Sequence, residues 1–251
     1  MVYFHVVYDL KEFYNYPVSY SDGINFYIGK ISAILFILIS GISSSFSKNN
    51  TKRSLKVLGA AMLITIITHL YDLDYGVKFG ILHFLGVSML LAPAFIKLNK
   101  YVLITLGAII IACGDFVSNI NTSANYLFPF GITNSSFTSS DYYSLVPWFG
   151  VFLTGLSLGK MLYSDRRSLL TFDMNDNVIS MAGRNTLPIY LFHQPVIMIV
   201  LMLFQYLSWP WRNSTFNGCL KLSPMKEFLR YMQNSNKISK IINMDMAMLI
   251  F

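Results

Sequence analysis

The chain has 251 residues, of which 54% are hydrophobic and only 12% are charged. Soluble domains usually carry about 25% charged residues, so this composition excludes an ordinary soluble domain. It indicates a polytopic membrane protein that is embedded in the lipid bilayer. The net charge of +7 does not indicate nucleic-acid binding, because the basic residues lie in short loops between apolar runs.

Six apolar runs have the length and composition of membrane spans, which need roughly 20 residues. They cover residues 26–46, 55–71, 79–96, 101–117, 147–163 and 187–207. We therefore predict an all-α fold, a polytopic membrane helix bundle of about six full transmembrane helices plus a partial first helix. Residues 1–10 are interpreted as the last turns of that partial helix, and we expect a charged and apolar stretch upstream of them.

The chain divides by composition into a predicted bundle, residues 1–208, and a basic tail, residues 209–251. Within the tail, residues 223–233 have apolar side chains at helical spacing, which predicts an amphipathic helix on the membrane surface. The side of the membrane on which the tail lies is left open.

Charge in the loops predicts the orientation of the spans. Ten basic residues flank the connections of one side, and three flank those of the other: Lys48, Lys52, Arg53, Lys56, Lys97, Lys100, Lys160, Arg166, Arg167 and Arg184 against Lys11, Lys30 and Lys78. The positive-inside rule places the first set in the cytoplasm, so we predict a multi-pass protein of the plasma membrane. The long loop of residues 118–146 then faces outward, where it covers or lines an external site.

All four histidines lie within or at the edge of apolar runs: His5, His69, His83 and His193. A titratable side chain inside a bilayer is costly, and imidazole moves protons near neutral pH. The pattern indicates membrane-embedded chemistry or transport. His69, followed by Asp72 and Asp74, is interpreted as part of a solvated loop.

His5 and Asp9 are four residues apart, so a helix places them on one face. A carboxylate in that position can orient an imidazole and stabilise its cationic form. The alternative is a helix end that emerges among the lipid headgroups, where both residue types are common.

The motif FGILHFLG places His83 near the outer end of a span, between Gly80 and Gly86, which allow close packing of helices. A later motif, DYYSLVPWFGVFLTGLSLGK, begins with Asp141 in the loop before the span of residues 147–163. Asp141 can contact a polar acceptor. His83 is interpreted either as a residue that lines a cavity or as a packing histidine bonded between helices.

The motif GRNTLPIYLFHQP places Arg184 and Asn185 at the cytoplasmic mouth of the last span. Pro195 is expected to kink this helix and to free backbone groups near His193 and Gln194. Such a helix often lines a polar cavity, and a kink that only stabilises the bundle is the alternative.

Other kinds of site are not indicated. Cys113 and Cys219 are far apart, without disulfide or zinc spacing, so no metal is expected. The chain has no P-loop, HExxH or GxSxG motif, which argues against an ATP-driven pump and a serine hydrolase.

Five segments in order, HVVYDL, KISAILFILISGISSSFSK, FGILHFLGVSMLL, DYYSLVPWFGVFLTGLSLGK and GRNTLPIYLFHQPV, resemble the bacterial relatives of heparan-alpha-glucosaminide N-acetyltransferase over about residues 1–204. The resemblance implies a membrane acyltransferase that takes an acetyl group from cytoplasmic acetyl-CoA and delivers it to an amino sugar on the other side. It implies that His5 is the active histidine. The human-type enzyme has Gln where His83 stands, so the chemistry does not require a histidine there.

The predicted function is acetyl or acyl transfer from acetyl-CoA to an extracytoplasmic amino sugar or glycan. His5, oriented by Asp9, takes a proton from the acceptor or carries the acetyl group; the sequence does not separate these roles. His83, His193, Gln194 and Asp141 would line the cavity or contact substrate, while Arg184 and Asn185 would meet the CoA phosphates. A proton-coupled transporter and a non-catalytic fragment are the alternatives, and homo-oligomer formation is left open.

Overall fold

The computed structural model describes residues 1–12, 16–71, 76–120, 122, 125–134, 137–139, 141–163 and 178–212. Within these ranges all regular secondary structure is helical, apart from one isolated parallel bridge between Phe79 and Tyr142. The prediction of an all-α membrane bundle is confirmed. Asp72, Asp74, Arg166, Arg167 and the tail segment 223–233 lie outside the described residues.

Eight α-helices and one 3-10 helix are present in the described ranges. They are α1 Val2–Glu12, α2 Gly23–Phe46, α3 Asn50–Tyr71, α4 Ile81–Phe95, α5 Lys100–Ser118, the 3-10 helix Asn125–Phe130, α6 Leu145–Leu162, α7 Val178–Arg184 and α8 Thr186–Arg212. Helices α2, α3, α5 and α6 are long and apolar enough to cross a membrane. The apolar helical segments Ile81–Phe95 and Thr186–Leu201 are shorter.

Local chemistry explains several helix ends. Asn99 caps α5, because its side-chain oxygen accepts the backbone N–H of Tyr101. At the C-terminal end of α4, the Lys160 ammonium donates to the carbonyl oxygens of Ile96, at 3.0 Å, and Leu98, at 2.5 Å. The cation thereby satisfies the carbonyl of Ile96, which ends α4, and ties the helix end to the turn at Leu98.

The chain forms two compact units, and the first contains residues 1–32 and 176–251. In this unit α1 packs beside the beginning of α2, where the Tyr3 hydroxyl donates to the Asn25 side chain at 2.8 Å. The Phe4 ring occupies the space where Gly29 lacks a side chain. Helix α8 continues through Pro195 as one helical element, and the kink expected there stays a prediction.

The second unit contains residues 33–175. Its core is made of large apolar side chains with almost no exposed surface, among them Ile37, Phe84, Leu103, Phe152, Leu153 and Leu156. Helix α3 packs against α4, and the Ser54 hydroxyl donates to the Gly86 carbonyl at 2.8 Å. Helix α5 packs against α6, and the Ser157 hydroxyl donates to the Lys100 carbonyl at 2.7 Å.

Helices α2 and α6 touch through their backbones. A side chain added at Gly41 would collide with the Phe152 carbonyl oxygen, and one added at Gly155 would collide with that of Leu38. Gly159, four residues after Gly155, likewise leaves room for Ser45 and the Ile42 carbonyl of α2. Small residues permit this approach, on which helix association in lipid depends.

One face of α3 and one of α5 carry exposed apolar side chains, which would face lipid. They are Leu55, Met62, Leu63, Ile66, Ile67 and Leu70 on α3, and Val102, Ile109 and Phe116 on α5. Exposure of this kind is costly in water and neutral in hydrocarbon.

We predict that Gly155→Val destabilises the protein strongly, because its methyl groups would meet backbone rather than a movable side chain. Overpacking of this kind typically costs about 1–3 kcal/mol or more. The matched control is Gly59→Ala on α3, where no atom lies within 4 Å of an added Cβ; it should not lower the melting temperature. Thermal unfolding in detergent measures both, and equal behaviour of the two variants would contradict the packing described.

Candidate functional site

A buried carboxylate joins α1 and α8 in the first unit. Asp9 has no exposed surface. The Gln194 side-chain nitrogen donates to Asp9 Oδ1 at 2.9 Å and to Oδ2 at 3.0 Å. Because a carboxylate removed from water without a donor costs several kcal/mol, this amide fixes the position of α8 beside α1.

Two histidines meet beside that contact. The rings of His5 and His193 lie edge to face, with centroids 4.9 Å apart and planes inclined by 65°. Phe4 packs against His5, and Tyr190 packs against His193. We refer to His5, Asp9, His193 and Gln194 together as the His5 cluster.

Hydrogen bonding fixes the tautomer of His193. Its Nδ1 lies 2.5 Å from the Tyr190 carbonyl oxygen. A carbonyl oxygen only accepts, so Nδ1 carries the proton and, in the neutral ring, Nε2 presents a lone pair. This Nε2 is buried and, among the described residues, has no hydrogen-bond partner; the same holds for Gln194 Oε1.

The structure thus brings together four residues that the sequence singled out separately. Their chemical roles stay predictions. The bonding partner of Asp9 differs from the expected one: Gln194 donates to it, and among the described side chains no hydrogen bond joins Asp9 to His5. Sequence reasoning missed Tyr190, although its position three residues before His193 is the spacing of a helical contact.

His83 belongs to the second unit. It is buried, with 7% of its surface exposed, and stacks on Phe79. The Thr65 hydroxyl donates to the Val77 carbonyl at 2.9 Å, so its oxygen must accept from His83 Nε2, 3.1 Å away. Nδ1 is then an acceptor, and in the described part of the chain it has no partner. The sequence contained no signal for Thr65, and a role of His83 in lining a cavity stays a prediction.

Asp141 tethers the loop before α6 to the beginning of α4. Its carboxylate accepts the backbone N–H of Ile81 at 3.0 Å, and the Tyr143 N–H donates to the Phe79 carbonyl at 2.9 Å. A side chain at Gly80 would collide with this carboxylate. Asp141 therefore caps α4 from a distant part of the chain, and its predicted contact with substrate stays untested.

Burial raises the pKa of Asp141 to about 6, and the hydrogen bond from Ile81 only partly opposes this effect. Burial also raises the pKa of the neighbouring Tyr143, and the Asp141 charge adds to that shift.

The remaining predicted positions lie where helices end. Arg184 is the last residue of α7, and Asn185 lies between α7 and α8, where its amide donates to the Met181 carbonyl at 2.9 Å. Both are exposed. His69 is in the last turn of α3, with Nδ1 bonded to the Thr65 carbonyl at 2.9 Å.

Comparison with known proteins identifies one family. The family model described as heparan-alpha-glucosaminide N-acetyltransferase, catalytic, matches residues 1–195. The matched range includes every residue of the His5 cluster. No curated protein and no solved structure matches the chain significantly.

We predict that Gln194→Leu lowers the free energy of unfolding by about 2–4 kcal/mol, because it leaves the buried Asp9 carboxylate without a donor. The double variant Asp9→Leu/Gln194→Leu removes both polar groups and should regain much of that loss. Thermal unfolding of wild type, both single variants and the double variant in detergent measures the coupling. Additive effects of the two substitutions would show that the contact carries no energy.

Asp141 predicts a pH dependence of stability. Since its folded pKa of about 6 lies above the ordinary 3.8, the folded chain holds a proton that the unfolded chain releases between about pH 4 and pH 6. Stability should therefore fall as the pH rises through that window. Asp141→Asn keeps an acceptor for the Ile81 N–H and should flatten this part of the profile, with a gain of about 1–3 kcal/mol above pH 7. Melting temperatures of the wild type and Asp141→Asn are measured from pH 4 to 8. If both change with pH in the same way, the assignment is wrong.

Proposed function

Because the chain belongs to the heparan-alpha-glucosaminide N-acetyltransferase catalytic family, we propose that it is an integral membrane acetyltransferase that uses acetyl-CoA from the cytoplasm. Its acceptor is an amino sugar or glycan on the opposite side, and the enzyme works in the plasma membrane. The observation that carries the proposal is the His5 cluster, which lies wholly inside the family match.

The chemistry requires a group that accepts protons. The nitrogen of the acceptor attacks the thioester carbonyl, a C–N bond forms, and the C–S bond breaks with its electron pair on sulfur. A positioned imidazole that takes the proton of the attacking amine typically contributes 10²–10⁴-fold. The family resemblance implies that His5 is the active histidine, and the ring of His5 lies against a second imidazole, His193.

Asp9 supports this centre through the helix contact. Its carboxylate is bonded to Gln194, the residue that follows His193. The position of His193 beside His5 therefore depends on the Asp9–Gln194 contact. We assign Asp9 to the same site as a residue that holds α8 in place and adds negative charge near both imidazoles.

The donor would be held by exposed polar groups at the junction of α7 and α8. Arg184 supplies a planar cation suited to phosphate, and the neighbouring Asn185 supplies an amide. Both are well placed to contact the phosphates of CoA if this junction faces the cytoplasm, as the distribution of basic residues predicts.

We expect His5→Ala to lower the rate of acetyl transfer by at least about 100-fold, because it removes the proposed proton acceptor. Full-length protein in proteoliposomes, supplied with radiolabelled acetyl-CoA and glucosamine, measures the rate. The matched control is His69→Ala, which removes a histidine of the second unit that bonds only to its own helix among the described contacts.

The same assay decides between the alternatives. Label that stays on the wild-type protein without acceptor, and is lost in His5→Ala, would show that His5 carries the acetyl group. If the wild-type protein retains no label and still transfers the acetyl group at full rate, the acceptor attacks acetyl-CoA directly. Glucosamine uptake without any dependence on acetyl-CoA would replace the proposal with a transporter, and a wild-type protein that transfers no acetyl group would overturn it.

A further inference from the structure

In the His5 cluster, four hydrogen-bond acceptors meet a single donor group, because no hydrogen bond among the described residues joins the His5 ring to any of them. Its acceptors are the two Asp9 oxygens, Gln194 Oε1 and His193 Nε2. The donor that reaches them is the Gln194 nitrogen, which is already bonded to both Asp9 oxygens. Gln194 Oε1 and His193 Nε2 are buried and, in the part of the chain described, meet no donor.

This imbalance specifies the chemistry of a ligand. Buried acceptors without donors cost about 1–3 kcal/mol each, and a buried carboxylate that faces only an amide still lacks a compensating positive charge. A carbonyl or phosphate group would add further acceptors and is therefore disfavoured here. A protonated amine brings three N–H donors and the missing charge in one small group.

We propose that Asp9, Gln194 Oε1 and His193 Nε2 form the subsite for the ammonium group of the acceptor. The assignment rests on the proposed acetyl transfer for the identity of that acceptor. It gives Asp9 a direct role in binding substrate, and it makes His193 a second proton acceptor beside His5.

The proton balance supports two imidazoles. An ammonium nitrogen gives up two protons on its way to an amide: one before it can attack, and one when the C–N bond forms. His193 Nε2, which carries a lone pair in the tautomer set by Tyr190, takes the first. His5 takes the second and returns it to the departing sulfur, while the proton on His193 is released to solvent. Two adjacent rings, 4.9 Å between centroids, provide both acceptors.

Binding without acetyl-CoA tests the subsite independently of the reaction. Full-length protein in detergent should bind glucosamine at least about tenfold more tightly than N-acetylglucosamine, which lacks the cation, by titration calorimetry. Asp9→Asn should abolish this preference and leave the affinity for N-acetylglucosamine unchanged. Equal affinities of the wild type for the two sugars would overturn the subsite, and this comparison needs no variant to fold.

Kinetics test the role of His193. His193→Gln keeps an acceptor oxygen but no base, so kcat should fall at least about 100-fold while KM for glucosamine changes little. Added imidazole should restore part of the activity of His193→Gly, which a purely structural role would not allow.

A His193→Gln enzyme with wild-type kcat would overturn the proton role. If the wild type transfers acetyl groups but Asp9→Asn leaves the KM for glucosamine unchanged, the subsite is wrong and the enzymatic function stands. If the wild type binds the amine selectively but transfers no acetyl group, only the enzymatic function is wrong.

Discussion

The hydrogen bonds from the Gln194 amide to the Asp9 carboxylate bring the proposed chemistry of the first unit together. A carboxylate without exposed surface has lost its hydrating water, so hydrogen-bond donors must reach it from the protein. By holding the carboxylate from α8, Gln194 also determines where its neighbour His193 lies. The contact between the His5 and His193 rings is therefore a consequence of how the buried acid is satisfied.

The second unit is held together in a different way. Helices α2 and α6 approach until backbone carbonyls meet glycines, and serine hydroxyls join α3 to α4 and α5 to α6. Lipid supplies no hydrophobic drive between helices, so close packing and short hydrogen bonds are the means of association that remain. Asp141 extends the same principle to the loop, because its carboxylate supplies the cap that Gly80 cannot provide for α4.

His193 and His83 share one feature despite belonging to separate units. Each has one ring nitrogen committed to a donor role by a neighbour that fixes the proton: the Tyr190 carbonyl in one case and the Thr65 oxygen in the other. Each presents the other nitrogen as a buried acceptor.

Several local expectations held because they depend on neighbouring residues only. The apolar runs matched helices to within a few residues. The kink expected at Pro195 stays a prediction, since α8 runs through this residue as one element and a proline can bend a helix without ending it. The expected His5–Asp9 bond was replaced by one from Gln194, which is 185 residues away along the chain.

By itself the sequence determined the helical membrane class, the approximate spans, the family resemblance and the set of histidines worth testing. These follow from composition, periodicity and motif order, which are properties of the chain read in one direction. Only the tertiary structure decided which donor meets which acceptor: Gln194 donates to Asp9, His83 donates to Thr65, and Ile81 donates to Asp141. The reason is physical, because a buried polar group must find its partner among whatever side chains packing brings within about 3 Å, and packing joins residues that no spacing rule connects.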